Sequence, residues 1–138
     1  MIVPLGRALT LAELPILRAH NLTMWAYVVL LRLDEEPIRT QAALADAVGA
    51  DRTRIIAVLD DLEARGYIRR VPDPSDRRVR LLSLTDDGRQ VRDTAQAAIQ
   101  RSEEDVLAHL TPADRRGFLS ALKVLSARAR TAAPDDAQ

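Results

Sequence analysis

A chain of 138 residues with 47% hydrophobic side chains is the size of one domain and can bury a core, which aliphatic residues must supply because only 3% is aromatic. A formal net charge of zero excludes a protein that is basic all over, and the absence of cysteine excludes disulfides, thiolate metal sites and thiol redox sensing. Five glycines, seven prolines and no apolar run long enough for a bilayer exclude collagenous, low-complexity and membrane-spanning classes; with no secretory signal visible, a cytoplasmic protein is expected.

From Ile2 to His20, Leu5, Leu9, Leu14 and Leu17 fall at loosely helical spacing. Thr10-x-x-Glu13 resembles a capping box, but Pro15 then sits at the edge of what a helix tolerates, so the limits of this first helix stay open. Asn21-Leu22-Thr23 breaks the pattern. Met24 to Asp34 is apolar almost all round, as in a helix buried between two layers, and Asp34-Glu35-Glu36-Pro37 ends it.

Thr40 can cap a short helix, Gln41 to Val48, which Gly49 closes; Asp51 can cap the next, Arg52 to Arg65, closed by Gly66. Two helices joined by a short glycine-containing turn form a helix-turn-helix. At 100° per residue, Ile55, Val58, Leu59 and Leu62 face the core, while Thr53, Ala57, Asp60 and Ala64 point away with Arg54 and Ile56 on the flanks. Small side chains with arginines near the N-terminal end suit entry into a major groove. Arg52 or Arg54 would meet guanine or phosphate, and Thr53, Ile56 or Ala57 thymine methyls.

Tyr67 to Val71 reads as a short strand and Val79 to Leu84 as its return. Between them Pro72 and Pro74 cannot sit inside a central strand, and Asp73, Ser75 and Asp76 are turn formers. Arg77, Arg78 and Arg80 are therefore displayed on or beside a hairpin tip, with Asp76 placed to pair with Arg78 and fix its direction. From Arg65 to Arg80 six arginines face two acids, a local excess of +4 within a neutral chain. Such a segregated patch can engage a polyanion without a high overall pI. Helix-turn-helix followed by a basic two-stranded hairpin predicts a mainly α, winged helix-turn-helix fold, a three-helix core plus wing.

Thr85 can cap a long helix from Asp86, with Val91, Ala95, Ala98, Ile99, Ser102 and Val106 along one side. Thr111-Pro112-Ala113-Asp114 is a helix start with cap, proline in the first position and an acid in the third. Phe118, Leu122, Leu125 and Ala129 then form an apolar seam. The expectation is that this seam, with Leu5 and Leu9 of the first segment, pairs with a second copy. The resulting division is dimerisation helices over 1–21 and 106–133, a DNA-binding domain over 22–85, a connecting helix over 86–105 and a tail over 134–138, fraying from Thr131.

The inventory for catalysis is poor, with no cysteine nucleophile, no glycine-rich phosphate loop and acids confined to caps or solvated runs. No enzyme is expected. Neither a cofactor nor a metal is expected, since His20 and His109 lack a recognisable ligand spacing. A winged helix used only for protein contact is the alternative, and it has no need of the arginine tip.

The stretches ThrGlnAlaAlaLeuAlaAspAlaValGly (40–49), LeuAspAspLeuGluAlaArgGlyTyrIleArgArg (59–70) and AspProSerAspArgArgValArgLeuLeuSerLeuThrAspAspGly (73–88) resemble the MarR family of regulators. The last carries the family's Asp-x-Arg wing tip followed by Leu-Thr and a glycine leading into the long helix. The resemblance implies a homodimer that binds a palindromic operator in double-stranded DNA, as repressor or activator. It also implies roles: Asp76 the wing acid, Arg78 the minor-groove arginine, Arg77 a phosphate contact, and Arg52, Thr53 and Arg54 the start of the recognition helix. It implies too a small aromatic or anionic effector bound between winged and dimerisation layers. Candidate wall residues are Arg18, His20, Trp25 and Tyr27, although Trp25 and Tyr27 read more simply as interlayer packing and His20 as a solvated loop residue.

Overall fold

The computed structural model describes residues 2–35, 38 and 40–132. Its elements are α1 (Ile2–Ala19), α2 (Met24–Glu35), α3 (Gln41–Val48), α4 (Arg52–Ala64), β1 (Ile68–Pro72), β2 (Arg80–Leu84), α5 (Asp86–Leu107) and α6 (Pro112–Ala132). The chain forms two compact units, one ending at Gln100 and the other beginning at Arg101. Among the described residues no single helix is long and apolar enough to cross a membrane.

α1 is unbroken through Pro15, the point that the sequence left open. The proline removes a hydrogen bond to the carbonyl of Leu11, but Leu11 is exposed and water can satisfy that oxygen. The chain turns instead at His20 to Thr23, where α1 and α2 meet at 88°. Asn21 takes the left-handed conformation there (φ 54°), which asparagine tolerates. Leu22 N–H closes the end of α1 on the Leu17 carbonyl, and the Thr23 hydroxyl accepts from Ala26 N–H at 3.1 Å to open α2.

The core of the first unit lies where α2, α3, α4 and the hairpin converge. Ala26, Tyr27, Val29, Leu30 and Leu33 of α2 meet Leu44 and Ala45 of α3 and Ile55, Leu59 and Leu62 of α4. Ile68, Leu82 and Leu84 close it from the hairpin, and Leu17, Ala95 and Ile99 from α1 and α5. Val58 is half-buried at its edge rather than inside. Arg92 ties α5 to α2 through Asp34, and Arg89 reaches the same carboxylate at 3.5 Å. Burial alone would lower the Arg92 guanidinium, but its bonds and charge contacts with Asp34 and Asp93 outweigh burial and raise it. The stability it contributes would be lost only as pH rises through that raised value, so the tie persists at any working pH.

β1 and β2 are antiparallel, with Ile68 opposite Leu84, Arg70 opposite Leu82 and Pro72 opposite Arg80. Ile38 adds an isolated bridge to Leu82, whose N–H donates to the Ile38 carbonyl at 3.1 Å. Nothing in the sequence signalled this short third edge. In the second unit Thr111 opens α6 as expected, its hydroxyl accepting from Asp114 N–H at 3.2 Å and donating to the Asp114 carboxylate at 2.7 Å. α6 runs on to Ala132, past the predicted fraying point, and the remaining tail lies outside the described residues.

Candidate nucleic-acid interface

The helix-turn-helix is built by its caps. Thr40 accepts from Ala43 N–H at 3.0 Å to start α3, and Gly49 ends it at φ 69°, where a side chain would be strained. Asp51 then accepts from Arg54 N–H at 2.9 Å and launches α4 only two residues later. Because Ile55, Leu59 and Leu62 are sequestered in the core, helical geometry turns Arg52, Thr53, Arg54, Ile56 and Ala57 outward, and all five are exposed. Ile56 is 44% exposed.

Arg54 is held on two sides. Its Nε is 3.6 Å from the second oxygen of Asp51, and its guanidinium carbon is 5.5 Å from the ring centroid of Trp25 on α2. Sequence reasoning missed this role of Trp25, because a contact between side chains twenty-nine positions apart leaves no local pattern.

The wing tip is closed by its own acids. Asp73 is buried; its N–H donates to the Val79 carbonyl at 2.8 Å, and its carboxylate accepts from the Ser75 N–H and hydroxyl at 2.8 and 2.6 Å. Asp76 accepts from Arg78 N–H at 3.0 Å, with the Arg78 Nε 3.9 Å from the same oxygen. Asp76 thus fixes the backbone of Arg78 more firmly than its guanidinium, which remains 96% exposed. Arg77 and Arg80 are exposed as well, and among the described residues neither forms an ion pair.

Two of the six arginines counted in the basic cluster are spent inside the fold. Arg70 faces inward beside Leu82 and binds Asp60 at 2.7 Å and also Glu63, which fastens the wing to α4. Arg65 pairs with Asp61 at 3.3 Å and stacks on Tyr67 at 4.7 Å. The +4 excess read from the sequence therefore overstates the local field: three nearby acids of α4 offset these arginines. The strand alternation held the signal, since Arg70 lies two positions from buried Ile68. Arg69, on the opposite face, reaches the Ser83 hydroxyl at 3.3 Å.

The four candidate effector-wall residues do not form one wall. Tyr27 is in the core, Trp25 lies beneath Arg54, and Arg18 is exposed. Two positions on a helix are 200° apart, so Trp25 and Tyr27 must face different neighbours. His20 alone of the four lines an open cleft of about 340 Å³, together with Tyr67, Asp87, Gln90, Val91 and Thr94. The His109 ring, in the turn that follows α5, bonds to backbone carbonyls at the end of that helix, Asp105 at 3.0 Å among them. Among the described residues no three potential metal ligands are gathered.

A capped helix pair whose second member shows a small, arginine-flanked outer face, followed by a hairpin tipped with arginines, defines a winged helix-turn-helix protein. The MarR family profile matches residues 22–79, from the start of this module to the wing tip. The chain is 34% identical to the transcriptional repressor CouR in a structure bound to a 23-mer DNA duplex, with a TM-score of 0.72 over 91% of this chain and 89% of that one. It is 31% identical to the PcaV transcriptional regulator of Streptomyces coelicolor, solved in complex with its natural ligand, with a TM-score of 0.64 over 91% of each chain. A Thauera aromatica protein ascribed to regulation of the hcr operon is 34% identical over 77% of this chain, which spans 64% of that protein's length. The chain belongs to the MarR family of transcriptional regulators.

Proposed function

We propose that the protein is a sequence-specific transcriptional repressor, not an enzyme, that works in the cytoplasm as a homodimer on a palindromic operator. The observation that carries this reading is the wing: a tip whose buried Asp73 and turn-forming Asp76 fix its backbone while Arg77, Arg78 and Arg80 stay exposed. A module for protein contact alone has no use for a preorganised cationic finger. On this reading α4 enters the major groove through Arg52, Thr53, Arg54, Ile56 and Ala57, and the wing reaches the adjoining minor groove through Arg77, Arg78 and Arg80 with Asp76 bracing the tip. The DNA-bound CouR relative supports it.

Exposure within each unit supports a division of labour. α1 buries Leu17 at one end but leaves Leu5 46% exposed, and in α6 Phe118, Leu122 and Leu125 are 40–56% exposed with Ala129 beside them. Residues 1–21 and 106–133 would form the dimerisation helices, 22–85 the DNA-binding domain, 86–105 the connection and 134–138 a tail. The ligand-bound PcaV relative supports control by a bound ligand; for the small aromatic or anionic effector that we propose, the cleft at His20 and Tyr67 offers stacking and hydrogen bonding.

Selection of bound fragments from random DNA, followed by footprinting and a salt series, tests this. The expected result is two inverted half-sites about one helical turn apart and affinity falling by ~10³-fold or more between 50 and 200 mM salt if six to ten phosphates are engaged. A flat salt response or a single unrepeated half-site refutes it.

A further inference from the structure

We infer that Trp25 is a positioning residue for Arg54, setting the direction of its guanidinium at the DNA-facing end of α4; the inference rests on the DNA-binding reading above. The guanidinium lies 5.5 Å from the indole centroid on one side and its Nε 3.6 Å from Asp51 on the other, yet the side chain remains 53% exposed. Stacking on an aromatic ring occupies the face of the guanidinium plane and leaves N–H groups at its edges free for an acceptor. An arginine held this way loses rotamer freedom when the protein folds rather than when it docks, which favours binding. By contrast, among the described residues Arg52 on the same turn has neither a ring nor an ion pair. The core does not require an indole at this place. Ala26, Tyr27, Val29 and Leu30 already fill the inward side of α2, and Trp25 is half-buried at its margin.

The test is a double-mutant cycle on operator affinity with fragments selected by the native protein, using Trp25→Leu, Trp25→Phe, Arg54→Ala and the Leu/Ala double variant, each checked for folding by circular dichroism. Trp25→Leu is expected to weaken binding about two- to fivefold, Trp25→Phe to retain most of the affinity, and Trp25→Leu to cost nothing further once Arg54 is alanine. If Trp25→Leu melts early, Trp25→Met supplies a second side chain without a ring face. Equal losses in the presence and absence of the Arg54 side chain would assign Trp25 to packing alone and overturn the inference, as would an unchanged affinity in Trp25→Leu. Failure of the native protein to enrich any DNA would instead overturn the function on which it depends, and the inference with it.

Discussion

Arg78 illustrates how a residue can matter to function while contributing almost nothing to the fold. With its side chain 96% exposed and its backbone already fixed by Asp76, Arg78→Ala should change folding stability by no more than an ordinary surface change, about 0.5 kcal/mol, while operator affinity falls about tenfold or more. Gel shift and thermal melts on the same preparation separate the two effects. Gly88 is the converse. A methyl group there would stand 1.9 Å from the Tyr67 carbonyl oxygen and 2.9 Å from its carbon, backbone atoms that cannot rotate aside. Gly88→Ala should cost about 3 kcal/mol in urea unfolding, whereas Gly117→Ala, with nothing within 4 Å of the new methyl, should gain roughly 0.5–1 kcal/mol of helix stability. The exposure of Arg52, Arg54, Arg77, Arg78 and Arg80 was legible from turn chemistry and helical period alone. The partners of Arg65, Arg70 and Arg54 were not, because side chains choose among charges and rings that only the folded backbone brings near.

Among the elements, those with local signals were read most closely. Thr40, Gly49 and Asp51 set the ends of α3 and the start of α4 where the sequence placed them, since capping is chemistry between residues two to four apart. β1 is displaced by one residue from the expected Tyr67–Val71 to Ile68–Pro72, with Pro72 tolerated at its tip end, and β2 begins one residue later than expected, at Arg80, and ends at Leu84. α1 shows the limit of local rules, for Pro15 left its bounds open, and water at an exposed carbonyl lets the helix run through. Thr85 joins three elements: its hydroxyl donates to the Gly66 carbonyl at 2.6 Å and accepts from Gly88 N–H at 3.0 Å, while its N–H donates to the Tyr67 carbonyl at 3.1 Å. Thr85→Val keeps the shape but loses both hydroxyl bonds, so a loss of about 1–2 kcal/mol is expected, with Thr85→Ser close to native. Chemical denaturation checks both.

For the molecule as a whole, neutrality and DNA binding are compatible because charge is sorted by place. Acids at Asp60, Asp61 and Glu63 pair with Arg65 and Arg70, and the wing tip keeps Arg77, Arg78 and Arg80 exposed. If α6 pairs with its copy as proposed, Leu122→Asp should raise the dimer dissociation constant by at least about tenfold, since burial of one leucine side chain is worth roughly 1.5–3 kcal/mol. Sedimentation across a concentration series would display this, and a native protein that stays monomeric throughout would refute the pairing. The seam itself was legible as periodicity. One consequence follows from the junction at Thr85 and Gly88. The base of the hairpin and the first turn of α5 are pinned by backbone as well as hydroxyl bonds, with no room for even a methyl group between them. A tilt at the start of α5 that keeps these bonds would carry the base of the hairpin with it.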